Sequence, residues 1–166
     1  MTDKEFTSIF AEQINRLSQE KLVGFAIIIC NRLLPDYIDF WDHNNWGDPV
    51  KLKEGIAFCE ENNNTLNPDP GIIKKMCDDI IEVMPDTEDF EGENCSYALN
   101  AAVAICETLN YLVDKDLSHI IGVSRQMTDT IYFKISEKEE HLSYAALDAH
   151  SRMAGERLLQ LAMIGA

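Results

Sequence analysis

Residues 22 to 43 read LVGFAIIICNRLLPDYIDFWDH, and the way this stretch folds decides the architecture of the whole chain. From Leu22 to Leu34 it is apolar on nearly every side of a helix, which is typical of a helix in the middle of a core. The β-branched run 27 to 29 would also suit a buried strand. We predict a helix, because the periodic segments around this stretch are helical.

Pro35 predicts a bend within the same stretch. A proline disfavours helical geometry at the residue before it, here Leu34, and it suits the first turn of a new helix. We therefore expect the buried helix to end near Leu34 and a short second helix to run from Pro35 to about His43. The residues expected to end that short helix are Asn44, Asn45 and Gly47.

Capping signals and helical periodicity organise the rest of the chain. Thr2 and Glu5 form a capping box for a first helix that reaches about Leu17, and Ser136 with Glu139 forms a box for a last helix through Met153. Between these two helices, we predict helices over 49 to 61, 72 to 84 and 95 to 113 and one from 117 onward, with the clearest loop at 62 to 71.

The sequence therefore predicts an all-α fold with about seven helices packed around a buried central helix. A chain of 166 residues fits one globular domain over 1 to 166, and such a domain buries roughly two-thirds of the surface of its unfolded chain. No alternating strand pattern competes with the helical periods. One sequence does not separate a core stripe from an interface stripe, so the oligomeric state stays open.

Three features predict a cytoplasmic protein. The start of the sequence lacks a basic segment followed by an apolar run, so no secretory signal is expected. The most apolar stretch, 22 to 30, falls short of the roughly 20 residues that span a bilayer. The five cysteines form no CxxC pair, and they lie mostly among apolar residues, which is typical of buried reduced thiols.

The net charge is the most unusual global feature. There are 29 acidic and 14 basic residues, which gives a formal net charge of -15. Such a field repels phosphate backbones and anionic lipids, so we expect neither direct nucleic-acid binding nor membrane binding, while a basic protein partner would be attracted. A negative surface that only keeps the protein soluble explains the same charge.

The strongest local concentration of charge is an acidic region with eight carboxylates and no basic residue between them. It is a candidate partner-binding surface for a basic protein, and the alternative is a solvated acidic loop. Two tryptophans nearby, Trp41 and Trp46, are candidate anchors for such a partner if they are exposed, and otherwise they pack in the core. The eight acidic residues are Asp78, Asp79, Glu82, Asp86, Glu88, Asp89, Glu91 and Glu93.

A second candidate site combines Asp36, Asp39 and His43, which lie at i, i+3 and i+7 on the predicted short helix. Two carboxylates and an imidazole on one side of a helix could hold a divalent metal or act as acid and base. The usual metal-binding spacings on a helix are absent, and a solvated polar face explains the same residues. No phosphate-binding, nucleophile-elbow or zinc-protease motif occurs, so we assign no catalytic residue and expect no cofactor.

Two elements of the sequence resemble the YjaG-like bacterial family, a domain of unknown function (number 416). The first has the form R-x-x-P-x-Y-x-x-F and matches Arg32, Pro35, Tyr37 and Phe40, although Asp36 stands where the family usually has asparagine. The second matches Pro85, Asp89, Phe90, Tyr97 and the alanine-rich segment 100 to 104, with Asn100 where aspartate is common. The resemblance covers about 5 to 135 and weakens beyond. It implies an all-α fold, with a helix over 22 to 34, and no known activity.

Two classes of function remain open. The first is an acidic cytoplasmic protein that binds a basic protein, and one version of it is an immunity protein that neutralises a toxin. The alternative is a metal-dependent hydrolase of unknown substrate that uses Asp36, Asp39 and His43. A homo-oligomer with apolar helix faces packed between subunits is a third and weaker option.

Overall fold

The computed structural model describes residues 1 to 90, 92 to 139 and 141 to 165, and these residues form helices without any strand. The all-α prediction is confirmed. The described part has eight helices, among them a short helix before the last one that the sequence did not predict. The helices are α1 (Asp3–Ile14), α2 (Gln19–Asn44), α3 (Pro49–Glu61), α4 (Pro70–Ile81), α5 (Glu93–Asp114), α6 (Leu117–Ser136), α7 (Tyr144–Asp148) and α8 (Ser151–Gly165).

Helix α2 runs unbroken through Pro35, so the predicted bend and the separate short helix are wrong. The helix continues to Asn44, and the next residue, Asn45, caps it in a left-handed conformation with φ 50°. Pro35 lacks the N–H group that would donate to the carbonyl of Asn31. Both Pro35 and Asn31 are exposed. Water can therefore satisfy the freed carbonyl, and the helix continues because the proline faces solvent and not the core.

Helices α2 and α5 form the centre of the molecule and pack together more extensively than any other pair. Ile29 and Leu33 of α2 and Leu109 of α5 are fully buried. Four alanines of α5 are fully buried as well, and their small side chains let neighbouring helices come close; they are Ala98, Ala101, Ala102 and Ala104. Gly55 of α3 lies so near α5 that a Cβ atom there would be 2.8 Å from Ile105 Cγ2.

Most predicted helix starts are present with their capping bonds. The capping box between Thr2 and Glu5 is complete. Asp48 caps α3 and Asp116 caps α6, each through its side-chain carboxylate. Helix α4 begins two residues earlier than predicted, because Asp69 accepts bonds from the first backbone N–H groups of that helix.

The predicted last helix is wrong at its start. Ser136 is the final residue of α6, and its Oγ donates to the carbonyl of Tyr132 at 3.0 Å instead of capping a new helix. Ser143 caps the short helix α7. At the start of α8, the Nδ1 atom of His150 accepts from the backbone N–H of Arg152 at 3.2 Å.

All five cysteines are free, and four of them are buried. Thiols in this state need no oxidising compartment to form. Among the described residues, no helix combines the length and the apolar character that crossing a membrane would require.

Candidate functional site

A buried network, here called the polar seam, joins α2, α6 and α8. Arg32 donates from Nη1 and Nη2 to the two carboxylate oxygens of Glu156 at 2.9 and 2.5 Å. Gln160 donates to Glu156 at 3.0 Å and accepts from the hydroxyl of Ser124 at 2.6 Å. Glu156 is 6% exposed and Gln160 is fully buried. Arg32, the first residue of the family-like element, therefore binds a buried carboxylate of α8, and 29% of its own side chain is exposed.

Tyr37 and Gly47 explain the next part of that element. Tyr37 is fully buried, and its hydroxyl donates to the carbonyl of Val83 at 2.6 Å and accepts from the backbone N–H of Asp48 at 3.2 Å. Gly47 has φ +100°, and a Cβ atom there would lie 2.5 Å from the tyrosine oxygen. Only glycine fits this conformation and this spacing. The hydroxyl thus joins α2 to the start of α3 and to the segment after α4.

The second family-like element also makes internal contacts. Pro85 is buried. The hydroxyl of Tyr97 donates to Glu137 at 2.9 Å, and the side-chain amide of Asn100 donates to Thr130 at 3.0 Å. Both contacts join α5 to α6 or to the residue that follows it. They support a structural role for these positions in this chain.

Asp36, Asp39 and His43 do not come together as a metal site. Asp36 forms an ion pair with Lys134 at 2.5 Å, so a lysine of the chain itself already balances its charge. Asp36, Asp39 and Lys134 line one surface pocket, whereas the exposed His43 is not part of its lining. In the part of the chain that the structure describes, no three His, Cys, Asp or Glu side chains are placed to hold a metal ion. The i, i+3, i+7 spacing indicates that the three residues share a helix face. It cannot indicate that Lys134 of α6 pairs with Asp36.

The acidic region divides into two groups with different surroundings. On and just after α4, three of its carboxylates pair with lysines: Asp78 with Lys74 at 2.5 Å, Asp79 with Lys75, and Glu82 with Lys51 at 3.2 Å. The sequence window of the acidic region began after Lys74 and Lys75, and it could not include Lys51. The charge of these three carboxylates is therefore largely compensated.

The other group is called here the acidic connector and consists of Asp86, Glu88 and Asp89. All three side chains are exposed, and none forms an ion pair with a described residue. The carboxylate of Asp86 accepts from the backbone N–H of Glu88 at 2.9 Å, which holds the turn. Glu91 lies outside the described residues, and Glu93 opens α5 with a side chain that also lies outside the description.

Both tryptophans are partly exposed, Trp41 by 39% and Trp46 by 36%. The ring of Trp46 lies 5.1 Å from that of Phe90 and 6.2 Å from that of Phe40. Phe90 directly follows the acidic connector in sequence. Trp46 therefore lies beside the acidic connector, partly packed and partly open to solvent.

A cavity of about 400 Å³ lies between α1, α6, α7 and α8, far from these candidate residues in sequence. Aromatic rings of Phe6, Phe10, Tyr132, Phe133 and Tyr144 line it together with several charged side chains. Its lining extends from Asp3 to Arg157 and comes from four helices, each of which looks ordinary by itself. No local signal in the sequence indicated this cavity.

Asp148 and Arg157 both line the cavity and form a pair that is called here the terminal clamp. The Arg157 side chain is 3% exposed, and its Nη2 lies 2.5 Å from Asp148 Oδ1. Its Nη1 donates to the carbonyls of Met1 and Asp148 at 3.0 and 2.9 Å. The backbone N–H of Asp3 donates to Asp148 at 3.0 Å. The clamp thus holds the start of α1 against α7 and α8.

These contacts define an all-α protein whose central helix pair is joined to a C-terminal helix by the polar seam. The chain belongs to the family described as Protein of unknown function (DUF416), whose profile matches residues 9–166. The resemblance seen in the sequence is thereby confirmed, and the match extends through the C-terminal helices.

A solved structure shows the same fold. The crystal structure of a DUF416 family protein from Shewanella baltica OS155 is similar with a TM-score of 0.79, covering 93% of this chain and 81% of that chain. The two sequences are 23% identical. A comparison with curated proteins finds no match.

Proposed function

We propose that this protein binds a basic protein partner through the acidic connector and Trp46. The observation that carries the proposal is the placement of three exposed carboxylates, none in an ion pair with a described residue, beside a partly exposed tryptophan. The net charge of -15 supports it, because a field of that sign attracts a basic partner and speeds the encounter.

In this proposal the two groups of residues act differently. Lysine or arginine side chains of the partner would form charge-assisted hydrogen bonds with Asp86, Glu88 and Asp89. Trp46 would bury its exposed edge against the partner, as aromatic residues do in interface hot spots. Asp78, Asp79 and Glu82 would contribute less to binding, because each would first have to break its ion pair with a lysine.

A finer version of the proposal is an immunity protein of the cytoplasm, which neutralises a basic toxin by covering its active cleft. Small size and strong negative charge suit that role. The five free cysteines agree with a reducing compartment.

The test is an affinity pull-down from the native cell extract, in low salt and in about 1 M salt, with the bound proteins identified by mass spectrometry. At 1 M the screening length falls to roughly 3 Å, so a partner held by the connector should be released. A variant with Asp86→Lys, Glu88→Lys and Asp89→Lys should fail to recover that partner.

The matched control changes the charge by the same amount on another helix, with Glu54→Lys, Glu60→Lys and Glu61→Lys at exposed positions of α3. We expect the control to retain the partner. Equal loss in both variants would show an effect of net charge alone, and retention by the connector variant would refute the proposed surface. A captured partner that is not toxic, or whose toxicity this protein leaves unchanged, would remove the immunity version only.

A further inference from the structure

The cavity between α1, α6, α7 and α8 contains a carboxylate without a partner. Asp129 of α6 lines the cavity and is half-buried. No hydrogen bond or ion pair joins its side chain to any described residue, whereas neighbouring Asp148 is bound by Arg157 and by the backbone of Asp3. A partly buried carboxylate without a partner is unfavourable, and a bound cation would relieve that cost.

Burial is the main influence on the pKa of this carboxyl group. It raises the pKa of Asp129, nearby Arg125 opposes that rise, and Asp3 adds to it. Arg125 is exposed and forms no ion pair with Asp129. The cavity therefore has an acceptor that its own basic residues do not satisfy.

The walls of the cavity suit a cation as well. Phe6 and Phe10 of α1 and Tyr132 and Phe133 of α6 line it, and Tyr144 of α7 is 66% exposed at its edge. The negative face of an aromatic ring attracts an ammonium or guanidinium group, most strongly where water is excluded. A volume of about 400 Å³ is within the range of small-molecule sites.

We propose that this cavity binds a small organic cation, an ammonium or guanidinium group on an apolar body, with Asp129 as the counterion and the aromatic rings around the body. An anionic ligand fits less well, because Arg157, the buried cation of the cavity, has its charge balanced by Asp148 at 2.5 Å and donates to two backbone carbonyls, although its Nε atom has no hydrogen-bond partner among the described residues. The site is separate from the acidic connector, and neither proposal depends on the other.

The experiment uses four probes of similar size: benzylamine and phenylguanidine as cations, benzyl alcohol as the neutral analogue and benzoate as the anion. Isothermal titration calorimetry on the full chain measures their affinity, and thermal unfolding provides a second readout, since a ligand of the native state raises the melting temperature. We expect both cations to bind and both analogues to bind at least about tenfold more weakly.

Two variants locate the binding. Asp129→Asn keeps the shape and removes the charge, and we expect it to weaken binding of both cations about tenfold. Tyr144→Ala removes an exposed ring, so the fold should survive even if Asp129→Asn does not, and we expect a severalfold loss of affinity. Asp42→Asn, an exposed carboxylate of α2, is the control and should leave affinity unchanged.

Three results would overturn the proposal. If benzyl alcohol binds as tightly as benzylamine, the cavity is apolar and selects no charge. If benzoate binds best, the cavity is an anion site served by Arg125 or by the unpartnered Nε of Arg157. If no cation binds, or if the two cavity variants bind like the Asp42→Asn control, the cavity is not a site for organic cations.

Discussion

Two adjoining sides of helix α2 are held in different ways. One side is apolar, with Ile29 and Leu33 fully buried, and the Sγ atom of Cys30 lies 3.5 Å from Oγ1 of Thr108 on α5. The adjoining side carries Arg32, which reaches Glu156 of α8 through two hydrogen bonds. Apolar burial stabilises without direction, whereas a paired charge requires one geometry and roughly offsets its own desolvation. We infer that α5 supplies most of the stability of α2 and that the polar seam fixes the position of α8.

The largest effect should follow from removing volume on the apolar side. Leu33→Ala should lower the free energy of unfolding by about 2 to 5 kcal/mol, because it deletes a fully buried side chain and leaves a cavity. Urea denaturation monitored by circular dichroism measures the change. The control is Ile28→Ala on the same helix, where the side chain is 46% exposed and the loss should stay below about 1 kcal/mol. Similar losses in both variants would contradict the assignment of the buried side.

The next effect separates the polar seam from the apolar side. Arg32→Ala should lower the free energy of unfolding by about 3 kcal/mol, because it leaves the buried carboxylate of Glu156 without its cation. The double variant Arg32→Met, Glu156→Leu should recover most of that loss, since it removes both charges and keeps the volume. Urea denaturation measures the free energy of unfolding of the single variant, the double variant and the unsubstituted protein. If the double variant is as unstable as Arg32→Ala, the ion pair stabilises the fold and does more than fix a position.

A smaller loss of stability tests how closely α3 packs against α5. Gly55→Ala should cost about 1 to 3 kcal/mol, because its new Cβ would lie 2.8 Å from Ile105 Cγ2, an atom that cannot move away easily. Gly24→Ala is the matched control within α2, where nothing lies within 4 Å, and it should stabilise by about 0.5 to 1 kcal/mol. Thermal unfolding of both variants gives the comparison, and an unchanged melting temperature for Gly55→Ala would show that the approach is loose.

The smallest expected change in stability concerns a polar contact of a histidine. The charge of this histidine depends on pH, whereas the arginine of the polar seam keeps its proton. His119 of α6 contacts Asp114 of α5 at 3.0 Å and also Glu107. Burial lowers the pKa of His119, but the bonds to these two carboxylates outweigh it and hold the pKa above the ordinary 6.5.

A raised pKa in the folded state adds stability that is complete below the unfolded pKa and is lost as the pH rises through the folded value. His119→Gln should therefore reduce stability more at about pH 5.5 than at about pH 9. Urea denaturation at several pH values measures the difference between the two proteins. A difference that stays constant with pH would contradict a charged imidazole at this contact.

Helix starts were predictable where the signal is local. Thr2, Asp48 and Asp116 each cap the helix that their own neighbours form, so a few residues of sequence suffice. Pro35 was not predictable in this way. Whether a proline ends a helix depends on the side that it faces, and packing of Tyr37 and Phe40 in the core sets that side. His150 was missed because histidine is not among the usual capping residues.

The candidate sites were predictable only in part. The acidic residues and tryptophans could be named from sequence, but the lysines that compensate some of them lie outside the acidic segment, and Lys51 is on another helix. The contact of Trp46 with Phe90 joins residues 44 positions apart and follows from tertiary packing. The cavity is not local at all, since Asp129 acquires its surroundings from α1 and α7.

The terminal clamp has a consequence for synthesis of the chain. Arg157 and Met1, which it joins, are 156 residues apart, and Asp3 and Asp148 are 145 apart. The ribosome therefore completes α1 long before Asp148 and Arg157, which bind its start, are made. Contacts between residues so distant in sequence form late, because the chain must close a long loop before they contribute. Helix α1 is translated before the seven helices that follow it here, and its start is fixed only after the chain reaches Arg157.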